Sequence, residues 1–167
     1  MTMSKWTVPI AGILISLSGG GQAATQAASA SPRASVDNQQ VLDACVSPAD
    51  QHRAPQDFSP AQHLQIIACL TAAAARQLNA GLPRQVDEVT RLDQVTAAGT
   101  ELTYHYSISR AAADLPADVG ARLESATRAY VCAQPSMVST MRMGGAYVYR
   151  WADSAGQLIH QMRIAGC

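Results

Sequence analysis

Two stretches of the chain alternate apolar and polar residues with the period of a strand. In Glu101–Ser109, Leu102, Tyr104, Tyr106 and Ile108 fall on one face, and Thr103, His105 and Ser107 fall on the other. Val89–Thr96 alternates ahead of it across Ala98-Gly99, so the pair reads as a hairpin. A three-residue turn, Ala98–Thr100, pairs Ala97 with Glu101 and sets Leu92 opposite Tyr106 and Asp93 opposite His105. A two-residue turn brings Arg91 and Asp93 onto the apolar face. A slip of one residue turns over a strand's whole set, so the pattern selects the longer turn. Ala146–Cys167 alternates in the same way. With Asp153–Gly156 as its turn and Ala152 paired to Gln157, Tyr147, Tyr149 and Trp151 share a face with Leu158, His160, Met162 and Ile164. The opposite face holds Ala146, Val148, Arg150, Ile159, Gln161 and Arg163.

Helical periods fill the gaps. Ser59 is a capping residue and Pro60 suits a first helical position, while Gly81 and Pro83 end the run. Ile67, Leu70, Ala74 and Leu78 form its stripe, widened by Ile66 and Ala73. Shorter helices are expected at Asn38–Cys45, Asp114–Ala133 and Pro135–Met143, the last stopped by Gly144-Gly145, with Val46–Phe58 as loop. The order helix, two strands, helices, two strands predicts an α+β fold: a four-stranded antiparallel sheet of two hairpins with helices packed on one face.

Composition changes this picture mainly at the N-terminus. Basic Met1–Lys5, an apolar run Trp6–Leu17 and small residues after it have the layout of a signal peptide. Cleavage is expected after Ala23 or Ala30, and the run is too short to span a bilayer. Residues 24–36, rich in Ala and Ser, read as a disordered linker, and 37–167 as one domain. The expectation is therefore a periplasmic or secreted chain with no stable membrane anchor after cleavage. Twelve basic residues balance twelve acidic ones, which gives no basis for nucleic-acid binding. Lys5 is the only lysine, so the mature chain has none.

Cys45, Cys69, Cys132 and Cys167 form an even set without C-x-x-C, as expected of two disulfides in an oxidising compartment rather than a metal or redox motif. Of the three connectivities open to four cysteines, Cys45–Cys69 with Cys132–Cys167 is the one expected. The first staples the N-terminal segment to a helix and the second ties the final strand to a helix end.

The stretch LPRQVDEVTRLDQV, then LTYHYSI, GGAYVYRWADSAGQLIHQMRI and a closing Cys resembles a group of small exported proteobacterial proteins. Their common pattern is LP-x-x-VD-x-x-T-x-L, LTY-x-Y, then a tyrosine-bearing hairpin ending in Cys. The resemblance covers Leu82–Cys167. It implies export, the two-hairpin fold and Cys132–Cys167, and no catalytic residue.

Candidate chemistry is sparse. G-x-S-x-G, H-E-x-x-H, the P-loop and G-x-G-x-x-G are all missing, and no catalytic residue, metal ligand or cofactor is expected. His160, opposite Tyr149 in the expected register, reads as a structural core histidine, and the aromatic residues around it as wall. The polar face is the candidate binding surface: Arg91, Asp93, His105, Arg150, Gln161 and Arg163, flanked by Thr103 and Ser107. Arginine among scattered apolar area is interface composition; the plain alternative is a solvated sheet face. The leading expectation is a non-catalytic domain that binds an envelope protein, as an inhibitor or immunity protein does. A first alternative is an accessory component of an envelope secretion or conjugation machine, docked through residues 24–36. A second is a small hydrolase or ligand carrier with a pocket at His160 or His105.

Overall fold

The computed structural model describes residues 38–167, so the expected signal peptide and linker lie outside the described residues. Helix α1 spans Asn38–Cys45 and α2 spans Pro60–Asn79. The start of α2 is fixed by a reciprocal cap. Ser59 Oγ accepts from the Gln62 N–H at 3.3 Å, and Gln62 Oε1 accepts from the Ser59 N–H at 2.8 Å. Strands β1 (Arg84–Gln85), β2 (Thr90–Ala98) and β3 (Glu101–Ile108) follow. Then come α3 (Val119–Cys132), α4 (Pro135–Arg142), β4 (Ala146–Ala152) and β5 (Leu158–Ile164). Helix α3 begins later than the expected Asp114. Ala112–Asp114 forms a 3-10 turn, and Leu115, preceding Pro116, is extended at φ −92°, ψ 149°.

The α+β class holds, but the sheet has five strands rather than four, in the order β1-β2-β3-β4-β5, and it is mixed. Strands β3 and β4 run parallel, Tyr104 beside Tyr149 and Tyr106 beside Trp151. A parallel neighbour requires a crossover, and α3 with α4 supplies it. The two hairpins are thus laid side by side with their turns at opposite ends of the sheet. Strand β1, two residues long, has too little pattern to be read from sequence.

Both hairpin registers differ from expectation, each through a bulge. The first turn has two residues, pairing Ala98 with Glu101, and Gly99 adopts φ 56° there. A bulge at Asp93 then absorbs the extra residue, so Leu92 still faces Tyr106, whereas His105 faces Gln94 instead of Asp93. In the second hairpin Ala152 pairs with Leu158 and Trp151 with His160, so His160 is not opposite Tyr149. Beyond that bulge the slip is two residues, which leaves the faces unchanged. Within it the faces exchange: Leu158 is 46% exposed, and Ile159 packs against the core.

One face of the sheet carries the core. Leu92, Val95, Leu102, Ile108, Tyr147, Tyr149, Trp151, Met162 and Ile164 are buried with Ala75 of α2, Val131 of α3 and Met141 of α4. All three helices therefore lie on that face. Both expected disulfides are present, Cys45–Cys69 joining α1 to α2 and Cys132–Cys167 joining α3 to the chain beyond β5.

Asp153, only 5% exposed, organises the second hairpin. Its Oδ1 accepts from the Gln157 N–H at 2.8 Å and the Ala155 N–H at 2.9 Å, and its Oδ2 from the Ala112 N–H at 3.1 Å. These bonds, Gln157 first and Ala112 next, hold its carboxyl below the usual carboxylate range.

Two stability predictions follow from this geometry. Closing 35 residues between Cys132 and Cys167 restricts the unfolded chain, so the double Cys→Ser variant should lose about 3–4 kcal/mol in denaturant titration. Asp153 has a folded pKa below its unfolded one. Its contribution is fully present above the unfolded value and is lost as pH falls through the folded one. Wild-type stability should therefore drop as pH falls through and below the ordinary carboxylate range, and the curve of Asp153→Ala should be flatter there.

Candidate functional site

The register gathers the polar candidates onto the face without helices. Gln94, His105, Arg150 and Gln161 form one row across β2 to β5; Thr96, Thr103, Val148 and Arg163 form the next. Arg91, Ser107 and Ala152 make a third. Residues directly opposite one another share a face, so Arg91, His105, Arg150, Gln161 and Arg163 lie together. Asp93, displaced by the bulge, joins them through Arg91, Nε to Oδ1 at 2.5 Å. Beneath these side chains Val148 and Ala146 are buried, 8% and 1% exposed, giving the face an apolar floor.

Charge on this face is unevenly compensated. Arg91 is held by Asp93, and Arg163 reaches Glu101, Nε to Oε1 at 2.5 Å. Arg150, exposed in the central row, has no ion-pair partner among the described residues. Beside it, His105 Nε2 lies 2.9 Å from Thr96 Oγ1. Burial lowers the His105 pKa below its ordinary value, and the Arg150 cation lowers it further, against a smaller opposing pull from Asp93. The face thus presents a neutral imidazole and an uncompensated guanidinium side by side, an arrangement suited to receiving an acidic group.

His160 belongs to the other side of the sheet. Its ring stacks on Trp151 at 6.0 Å, and Nε2 lies 3.7 Å from Glu124 Oε2 on α3. That nitrogen is shut off from solvent without a hydrogen-bond partner. Gly120 permits the close approach: a Cβ there would stand 3.0 Å from Nδ1. Neither Glu124 nor Gly120 was legible as a neighbour, because the crossover that brings α3 over β5 depends on the parallel pairing.

A second surface feature lies among the helices. An open groove of about 580 Å³ runs between the start of α2 and the end of α4, beside Pro60, His63, Leu64, Arg142 and Met143. Leu64 is 50% exposed at its edge. The sequence signal for it was weak: Leu64 stands three residues before Ile67 on the same face of α2, and helical spacing does not distinguish the exposed end of a stripe from its buried part.

No family model matches the chain, and no curated protein matches it. Solved structures do share its fold. A candidate secreted protein of Pseudomonas aeruginosa is 19% identical with a TM-score of 0.55, over 61% of this chain and 91% of that one. EpsS, a pilotin of the Vibrio vulnificus type 2 secretion system, is 17% identical with a TM-score of 0.55, over 62% and 92%. AspS, a type II secretion system pilotin of Vibrio cholerae, is 18% identical with a TM-score of 0.51, over 62% and 93%. The likeness spans nearly the whole of each of those chains.

The electrostatics of the face yield a measurable titration. His105 should titrate by NMR below the 6.5 of a free histidine, and Arg150→Ala should move it upward only part of the way, since burial is the larger cause. A histidine with a lowered folded pKa is kept neutral by the fold. Its contribution to stability should therefore be lost as pH falls below the unfolded value of about 6.5.

Proposed function

We propose that this protein is an accessory component of an envelope secretion machine and works by binding a protein of that machine, without catalysis. The observation that carries the reading is the fold likeness to two type II secretion pilotins, which extends over almost all of each pilotin chain. The two disulfides suit an oxidising compartment, as the envelope is. An inhibitor or immunity role, the leading expectation from sequence, has no comparable support. The docking surface in this proposal is the open sheet face, with Arg91, Arg150 and Arg163 as its cationic contacts over the Val148 floor. Arginine at such a position offers bidentate contacts at low desolvation cost.

The test uses the oxidised chain as bait in an envelope extract of its native host, with retained proteins identified by mass spectrometry. A component of a secretion machine should be retained in stoichiometric amount. Replacing Arg91, Arg150 and Arg163 together by Ala should remove it while leaving the thermal midpoint nearly unchanged. Retention of no secretion component by the wild-type chain defeats the proposal.

A further inference from the structure

The two outer edges of the sheet are treated differently, and the difference is visible in backbone hydrogen bonds. Ala146 N–H donates to the Thr100 carbonyl at 3.0 Å, so Ala146 directs its backbone toward β3. Backbone direction alternates along a strand. Tyr147, Tyr149 and Trp151 therefore face β5, and their partners Ile164, Met162 and His160 face back toward β4. Gln161 and Arg163 consequently turn their N–H and C=O groups outward. Among the described residues no donor or acceptor meets them.

The same alternation turns Val95 outward on β2, at the opposite edge. There the edge is covered at every outward position but Ala97. The side-chain amide of Asn79 bonds both backbone groups of Val95, donating to its C=O at 2.6 Å and accepting from its N–H at 2.9 Å. Strand β1 covers Arg91 and Leu92, the Asp93 bulge breaks the line, and Thr71 Oγ1 bonds the Gly99 carbonyl at 2.8 Å. Strand β5 has no such cover. It contains no proline, its bulge is confined to the hairpin end at Ile159, and it is seven residues long. An edge of this kind is a template for an added strand.

The geometry points to β5 as a docking edge for an extended, acidic segment of a protein partner, which joins the sheet as a sixth strand. The acidic character follows from the neighbouring charges. A residue placed beside Arg163 meets a cation that otherwise has only Glu101, and one placed beside Gln161 lies two strands from uncompensated Arg150. Strands stand about 4.8 Å apart, so that span is within reach of an arginine and a glutamate side chain. A second copy on the same edge would bring the Arg150 and Arg163 of both chains onto one face with no added anion. The inference rests on the proposed function only for which protein supplies the segment.

Hydrogen exchange followed by NMR reads the site directly. In the free chain the Gln161 and Arg163 amides should exchange fast, and those of His160, Met162 and Ile164 slowly. The probe is a peptide of about ten residues, a long strand's worth, alternating Glu and Val. It should protect Gln161 and Arg163. Methylating every second peptide nitrogen, in either phase, tests whether one phase is needed, and one of the two peptides should lose binding. Gln161→Pro removes an outward N–H without touching the β4 ladder, and should weaken the peptide by about tenfold. Arg163→Glu, which leaves the backbone intact, should weaken it too and guards against a folding defect in the proline variant. Unprotected Gln161 and Arg163 with saturating peptide would overturn the inference, as would protection that follows chain concentration without peptide and so marks a second copy. Failure to retain a secretion component in the capture experiment defeats the functional proposal and leaves this readout standing.

Discussion

The stacking of Tyr104 on Tyr149, ring centroids 5.0 Å apart and planes within 9°, follows from the parallel register that sets the two side by side on β3 and β4. The stack continues through Tyr106 and Trp151 at 5.8 Å and ends on His160. Aromatic pairs of this kind add to their area burial, and here they fill the space between the sheet and the helices packed on it. Burial, reinforced by neighbouring tyrosines, raises the hydroxyl pKa values of Tyr104, Tyr106 and Tyr149. They therefore stay protonated and uncharged within the stack. The parallel join also dictates connectivity, since the chain must return to the starting end of the sheet. It does so through α3 and α4, which cover the aromatic residues on their way. A single pairing thus fixes the core, the helical cover and the bare face.

This also explains which parts of the fold were legible. Alternation reports face membership, which does not depend on strand direction. Tyr147, Tyr149 and Trp151 would share a side with Leu102, Tyr104 and Tyr106 in either orientation, so the two faces could be drawn correctly around an incorrect sheet order. The registers show the same logic. A two-residue slip at β5 preserves parity, and the Asp93 bulge restores Leu92 to Tyr106 after a shorter turn. Only at a bulge itself does the reading fail locally, as for Leu158 and Ile159. A bulge leaves no periodic signal, because it is one residue that breaks the period.

The polar candidates were legible for the same reason, but their pairing was not. His105 beside Arg150 is a contact across the parallel join, so an antiparallel drawing does not supply it. Asp153 escaped notice because its importance lies in backbone N–H groups from two separate segments, which no side-chain pattern encodes. Glu124 and Gly120 are invisible as neighbours of His160 until the crossover is known.

Sheet order also bears on how such a domain can serve a larger assembly. With β3 and β4 joined at the centre, the first hairpin turns its first strand outward and the second hairpin its last, leaving β2 and β5 to be managed. One is obstructed by Asn79, by β1 and by a bulge, devices that suppress unwanted strand addition. The other adjoins Arg150 and Arg163, where the face carries its least compensated charge. Positive groups beside an open edge restrain self-association, since two like-charged edges repel, yet they favour an acidic strand from elsewhere. Selectivity of that sort lets an open edge avoid copies of its own chain and still offer backbone bonds to a different, acidic strand. The disulfide from α3 to Cys167 anchors the chain just beyond β5, so the strand that would receive the partner is fixed at its far end before anything binds. A strand pinned in this way loses less conformational freedom on docking than a loose one would.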